Sequence, residues 1–268
     1  KVHLAREALD EARGCFERNL TLAETARDGR NTARALINLG VVDLQTGNPD
    51  QALDRFEAAR QHCEARGDAR NLAFAVENLA VLHHRRQAFD LALPRYHQSS
   101  AAFRQLGDRA QLASTAMNLA DLYLIVGELE RTRRLAAIAG QLITQDGLLH
   151  LEAQRLALEG DLAHLDGETD RAIERYTAAR AQLESHRRVG AILRCLAEVE
   201  LTRGQPKRCL ELVDQARALP GQDDELTTSL RITRGAALLA EGDVDGARVE
   251  LEAASRLAES VGHRELIW

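Results

Sequence analysis

The chain has 268 residues and a net charge of −6, and 45% of its residues are hydrophobic while 28% are charged. This composition is that of an ordered protein rather than a disordered one. Alanine and leucine, both strong helix formers, supply 44 and 42 residues, whereas only 3% are aromatic. Because strands favour β-branched and aromatic residues, an all-β fold is strongly disfavoured.

The net charge, the apolar runs and the cysteine spacing argue against several kinds of partner and site. A net negative charge argues against nucleic acid, and no apolar run approaches the roughly 18 residues that a membrane helix needs. The four cysteines show no CxxC spacing, which disfavours a zinc knuckle or a redox motif. We expect them to be reduced and mostly buried in a cytoplasmic protein: Cys15, Cys63, Cys195 and Cys209.

The sequence repeats itself at a period of about 40 residues. Asn38-Leu39-Gly40 recurs as Asn78-Leu79-Ala80 and again as Asn118-Leu119-Ala120, with a step of 40 each time. Internal periodicity of this length is typical of repeat architectures. In three later units a small residue recurs at the place of Gly40, namely Gly160, Ala197 and Gly235.

Each of these small residues begins the same series of positions. Seven residues later comes a glycine in every unit except one, which has Gln87. Twelve and nineteen residues later come small residues, such as Ala52 and Ala59 in the first unit. Sixteen residues later comes an apolar residue, which is Phe56 in the first unit. Six units keep this spacing.

The residues of the first unit predict a helix hairpin. Leu36 and Leu39 lie at helical spacing, and residues 47–50 form a stop-and-turn signal with glycine followed by proline. A second helical stripe begins at Ala52. Gly40 and Ala52 are small because the two antiparallel helices approach closely there. Such a hairpin has apolar surface on two sides, so neighbouring hairpins must stack.

These residues resemble the tetratricopeptide repeat, which has Leu-Gly in its first helix, Ala and an aromatic in its second, and a glycine turn between them. The resemblance covers the whole chain. The units are longer than the usual repeat, as in the long-repeat branch of kinesin light chain and of bacterial signalling ATPases and transcription regulators. The resemblance implies an all-α, right-handed α-solenoid of stacked antiparallel helix hairpins. Asp43 and His83 depart from it, because the pattern prefers the aromatic residue that Tyr123 keeps.

The repeat pattern also divides the chain, although we expect one continuous solenoid domain. The arginine bias and the resemblance favour a bacterial source, and the interrupted pattern at both ends indicates a piece of a longer protein with attached domains. The predicted parts are the second helix of a truncated repeat at 1–28, three regular repeats at 29–146, three divergent repeats at 147–264 and the start of a truncated repeat at 265–268.

No motif of catalysis or cofactor binding is present. The sequence has no GxxxxGK[ST], GxGxxG, GxSxG or HExxH pattern. Adjacent histidines such as His83 and His84 point about 100° apart on a helix, which disfavours a shared metal site. The sequence therefore predicts a protein that is not an enzyme and that uses neither a metal nor a cofactor.

The candidate binding residues form a series. Asn38, Asn78 and Asn118 share one helical phase, and an asparagine amide both donates and accepts hydrogen bonds. The resemblance implies that the first helices line a concave groove where these amides bind the backbone of an extended peptide. An inter-helix structural bond is the alternative. Further groove candidates on the same helices are Arg34, Val41, Gln45, Val81, Arg85, Asp121 and Ile125.

The sequence thus favours a non-catalytic module that binds a protein or peptide within a larger regulatory or signalling protein. Two alternatives stay open. One is a sensor whose curvature responds to a small peptide or effector and gates an attached domain. The other is a self-assembly or intramolecular scaffold whose groove is filled by its own chain.

Overall fold

The computed structural model describes residues 2–183 and 185–260. Within these residues all regular secondary structure is α-helical, and the chain divides into two compact units, Lys1–Leu148 and Leu149–Trp268. The end of the third divergent repeat, from 261 to 264, and the predicted repeat start at 265–268 lie outside the described residues.

The first unit is a series of antiparallel helices joined by short turns. Within the hairpins, α2 packs against α3, α4 against α5, and α6 against α7. Between neighbouring hairpins, α1 packs against α2 and α3 packs against α4. Its helices are α1 Val2–Thr25, α2 Gly29–Gln45, α3 Pro49–Glu64, α4 Ala69–Arg85, α5 Phe89–Gln105, α6 Arg109–Ile125 and α7 Leu129–Asp146.

The second unit repeats this arrangement. α8 packs against α9, α10 against α11 and α12 against α13, and each hairpin contacts the next within the unit. The predicted all-α fold of stacked helix hairpins is therefore confirmed in both units. The helices of the second unit are α8 Leu149–Leu165, α9 Thr169–Ala181, α10 His186–Thr202, α11 Pro206–Arg217, α12 Asp224–Glu241 and α13 Val244–Ser260.

The turns inside the hairpins need a left-handed residue. Gly47 has φ of 79°, and the repeat-equivalent Gln87 adopts φ of 57° although it is not glycine. Left-handed backbone is readily accessible to glycine and costs other residues strain. The glycine that recurs seven residues after each small residue is therefore explained, and Gln87 keeps the geometry of the turn without it.

Close helix contact explains the small residues of the pattern. Ala52, Phe56 and Ala59 lie on α3 and are fully buried in an apolar cluster with residues of α2 and α4. A Cβ atom added to Gly40 would lie 2.5 Å from Cε1 of Phe56, which is too close for any side chain. The same relation holds between Gly160 and the ring of Tyr176 at 2.6 Å.

The departure at Asp43 has a structural reason. Asp43 is completely buried, and its carboxylate lies 2.7 Å from Nη1 of Arg13 on α1 and 2.7 Å from Nε of Arg55 on α3. Arg13 also donates to the hydroxyl of Thr46. An ion triad thus replaces the aromatic residue that the repeat pattern prefers, and it joins three helices.

Candidate functional site

The first helices of the regular repeats form an inner layer in the first unit. α2 contacts α4, and α4 contacts α6. Each begins after an aspartate whose carboxylate accepts a backbone N–H three residues later, at 3.1 to 3.3 Å. The capping aspartates are Asp28, Asp68 and Asp108. This repeated cap sets the same helical phase in all three helices.

The three predicted asparagines occupy equivalent places in this layer. Asn38, Asn78 and Asn118 are each half-buried, on α2, α4 and α6. The Asn78 side chain donates from Nδ2 to the Phe74 carbonyl oxygen one turn earlier, at 2.8 Å. The Asn38 amide makes no hydrogen bond within residues 2–183 and 185–260. The alternative of an inter-helix structural bond is therefore not the arrangement at Asn78, whose bond is within its own helix.

A cleft opens beside the first asparagine, between α2 and α4. Its volume is about 520 Å³. The floor is apolar at Ile37, which is buried, and at Phe74, which is half-buried. The remaining lining is polar or charged, contributed by both helices and by the cap of α4: Arg30, Arg34, Asn38, Asp68, Arg70 and Asn71.

Two of the three arginines that line the cleft have an acidic partner. Nε of Arg30 lies 3.4 Å from the Asp68 carboxylate, and Nη2 of Arg70 lies 2.9 Å from Asp108. Arg34 is exposed and pairs with no acidic group in the described part of the chain. The cleft thus presents one arginine that is free to meet a ligand.

A smaller cleft of about 310 Å³ lies between α1 and α2. Arg34 and Asn38 line it as well as the larger cleft. On the α1 side it is lined by Phe16, Asn19 and Leu22. The structure therefore brings two of the predicted site residues together, where they are accessible from both clefts.

The other predicted residues are distributed along the same three helices. Val41 and Val81 are half-buried and pack against the apolar clusters of their hairpins, so they present little side chain to a ligand. The remaining candidates are exposed on α2, α4 and α6, namely Gln45, Arg85, Asp121 and Ile125.

Sequence reasoning missed several residues of this layer. Arg30, Arg70, Asn71 and Phe74 line the cleft one or two turns before the asparagine series. The signal that would have found them is the helical stripe itself, since positions four, seven and eight residues earlier share the face of each asparagine. Arg34, four residues before Asn38, lies on the same stripe.

Glu77 is a further residue that the repeat pattern alone did not single out. It is 7% exposed, and its carboxylate accepts a hydrogen bond of 2.6 Å from the Thr115 hydroxyl on α6. Burial raises the pKa of Glu77 to about 7, the Thr115 bond opposes this, and nearby Asp108 adds to it. Its repeat equivalents, Ile37 and Met117, are apolar, and that contrast is the signal in the sequence.

The cysteines differ in their exposure. Cys63 and Cys209 are buried, and burial raises the pKa of each thiol to about 11. Cys195 is half-buried and Cys15 is exposed. Within the described residues, no group of three or more His, Cys, Asp or Glu side chains is placed to hold a metal ion.

No helix of the described part of the chain combines the length and the apolarity that crossing a membrane requires.

The fold and the inner layer define an all-helical repeat protein with an open cleft between successive first helices. The Tetratricopeptide repeat family model matches residues 1–65. No sequence among the curated proteins matches the chain. The matched residues include α1, α2 and α3, and for the rest of the chain the likeness to tetratricopeptide repeat structures is one of fold.

Solved structures of low sequence identity share the fold. The crystal structure of NprR in complex with its cognate peptide NprX has a TM-score of 0.73 at 8% identity, over 96% of this chain and 79% of that one. The apo form of the quorum sensor NprR from B. thuringiensis has a TM-score of 0.69 at 12% identity, over 99% and 77%.

A third structure belongs to a much longer protein. It is a Signal Transduction ATPase with Numerous Domains that has a tetratricopeptide repeat sensor, from Pyrococcus horikoshii. Its TM-score is 0.63 at 15% identity, and the match covers 96% of this chain but only 42% of that protein. At these identities the likeness concerns the fold alone.

Proposed function

We propose that this chain is a non-catalytic peptide-recognition module and that an extended peptide binds along the inner layer of α2, α4 and α6. The observation that carries the proposal is the series Asn38, Asn78 and Asn118, half-buried at equivalent places on the first helices of three successive repeats. Amides at a repeated spacing suit the backbone of an extended peptide, because its N–H and C=O groups also repeat.

Two further observations support this function. The cleft between α2 and α4 opens directly at Asn38 and combines an apolar floor with polar walls, as peptide sites commonly do. The fold is also that of NprR, whose structure contains a cognate peptide. We place the module in a larger regulatory or signalling protein of bacterial type, in the cytoplasm.

The test replaces Asn38, Asn78 and Asn118 together with alanine. The probe is a pool of fluorescein-labelled octapeptides of random sequence, and binding is followed by fluorescence anisotropy after circular dichroism has established folding. A net hydrogen bond contributes about 0.5–1.5 kcal/mol, so losing three should weaken binding by at least about 10-fold. We expect micromolar binding for the unmodified chain.

A matched control changes three exposed amides on the second helices of the same unit, Gln61, Gln105 and Gln141, to alanine. This control should bind as the unmodified chain does. Equal binding by the asparagine variant would disprove the ladder, and no binding by the unmodified chain would disprove peptide recognition altogether.

A sensor function is the second candidate, favoured by the fold shared with a quorum sensor and with a tetratricopeptide repeat sensor. It requires that the bound peptide changes the shape of the chain. Small-angle scattering with and without a binding peptide measures this directly. A lower radius of gyration with peptide supports the sensor function. An unchanged radius favours peptide recognition without a change of shape.

A further inference from the structure

The cleft between α2 and α4 carries an excess of positive charge. Three arginines and one aspartate are its charged lining residues: Arg30, Arg34, Arg70 and Asp68. The chain as a whole has a net charge of −6. The positive lining is therefore a local feature of the cleft and not a reflection of overall composition.

The one acidic group of the cleft is already engaged. The Asp68 carboxylate accepts hydrogen bonds from the backbone N–H of Asn71 at 3.2 Å and from its Nδ2 at 2.8 Å. Arg30 approaches the same carboxylate at 3.4 Å. Asp68 thus caps α4 and balances Arg30, and it leaves Arg34 uncompensated.

Arg34 is not required by the repeat. The equivalent positions in the next two units are Phe74 and Ser114, neither of them charged. Arg34 is exposed, lines both clefts and pairs with no acidic group among the described residues. A guanidinium can hold a carboxylate through two parallel hydrogen bonds, which gives both strength and orientation.

The surroundings of Arg34 restrict the ligand further. Ile37 and Phe74 form an apolar floor beside it, and Asn38 supplies the first amide of the asparagine series. The second and third amides follow on α4 and α6, so a peptide held by all three continues past the cleft. Arg34 also lines the smaller cleft between α1 and α2, so a peptide that continues into that cleft places an internal side chain, rather than its terminal carboxylate, against Arg34.

We propose that the cleft of α2 and α4 selects peptides with an internal aspartate or glutamate, whose carboxylate is bound by Arg34 while a neighbouring apolar side chain covers Ile37 and Phe74. This inference rests on the proposed peptide-binding function and names the class of peptide. The net positive lining, complementary to an acidic residue, is its basis.

The experiment uses the full chain and three pools of fluorescein-labelled octapeptides, acetylated and amidated at their ends. The pools differ only in one central residue, which is Glu, Gln or Lys, and the other positions are the same random mixture of uncharged residues. We expect the Glu pool to bind at least about 10-fold more tightly than the Gln pool, and the Lys pool to bind most weakly.

Substitution at the proposed contact provides the decisive comparison. In Arg34→Gln the advantage of the Glu pool should fall to within about 2-fold. Arg104 is an exposed arginine on α5 that makes no ion pair within the described residues, and Arg104→Gln should keep the advantage. A fourth pool, with central Gln and a free terminal carboxylate, should bind no better than the amidated Gln pool.

The outcomes separate this inference from the function on which it rests. Equal binding of the Glu and Gln pools, with loss in the triple asparagine variant, overturns the acidic preference and leaves peptide recognition standing. A Glu preference that survives in Arg34→Gln, or a gain from the free terminal carboxylate, also overturns it. Absence of binding by every pool overturns both proposals.

Discussion

At the scale of the residue, Glu77 is an ionisable residue at a position that is apolar in the two neighbouring repeats. Its equivalents there, Ile37 and Met117, are apolar, yet it lies buried between α4 and α6 with the Thr115 hydroxyl on its carboxylate. A single neutral hydrogen bond does not compensate the burial of a carboxylate, which is why its pKa is raised to about 7. The protonated form is thus the one that suits this site.

The contribution of Glu77 to stability should therefore fall as pH rises from about 4.5 to about 7. In the unfolded chain Glu77 ionises near 4.5, and in the folded chain near 7, so between these values the folded state binds more protons. The free-energy cost of burying the ionised Glu77 carboxylate is absent below about pH 4.5. It is complete above about pH 7, where it reaches up to about 3 kcal/mol. Glu77→Gln should remove it, so its gain in the free energy of unfolding is larger at pH 8 than at pH 5.

Urea unfolding at the two pH values measures this difference. Glu17→Gln, at an exposed position in the middle of α1, serves as the control and should show no such change. A gain for Glu77→Gln that is equal at both pH values would contradict the assignment.

At the scale of the element, a glycine of the first helix packs against a large side chain of the second at Gly40, Gly160 and Gly235. Gly40 on α2 meets the ring of Phe56 on α3, and both are buried. In most helix interiors alanine is more stable than glycine, because it loses less entropy on folding. Here the contact between the two helices reverses that preference.

Gly40→Ala should lower the free energy of unfolding by about 1–3 kcal/mol, since the new Cβ overlaps the Phe56 ring. In a Phe56→Leu background the same change should cost less, because the ring is gone. Urea unfolding of the four proteins gives the coupling between the two sites. Additivity within about 0.5 kcal/mol would disprove the contact.

Gly14→Ala is the matched control for this pair. Gly14 lies within α1, and an added Cβ would meet only the end of the Arg18 side chain, at 3.5 Å. This substitution should raise stability by about 0.5–1 kcal/mol.

At the scale of the whole molecule, each unit contains apolar clusters of its own. The apolar clusters around Phe56 and Tyr96 lie within Lys1–Leu148, and the cluster around Tyr176 lies within Leu149–Trp268. In repeat proteins stability comes from each repeat and its immediate neighbours, so part of a stack can fold alone. All the predicted groove residues belong to the first unit.

A fragment of residues 1–148 should therefore fold and keep the peptide binding of the full chain within about 3-fold. Circular dichroism and anisotropy with the same peptide pool measure both properties. The fragment 149–268 is the control and should not bind the pool. Binding that requires the full chain would place part of the site in the second unit.

The sequence by itself determined the hairpin architecture, because a repeat displays the same physical requirement six times. The glycine of the turn, the small residues of the helix contact and the apolar residue beside them each recur at a fixed spacing. A departure such as Gln87 then stands out, and the structure shows the same left-handed turn there. Periodicity also placed the asparagines on one face of the first helices.

Only the tertiary structure decided which side chains meet across helices. The pairing of Asp43 with Arg13 and Arg55, and the bond from Thr115 to Glu77, join residues 12 to 38 positions apart. The sequence does not encode such contacts as local patterns, because they depend on how successive helices pack. The uncompensated charge of Arg34 became evident for the same reason, once the partners of the neighbouring arginines were known.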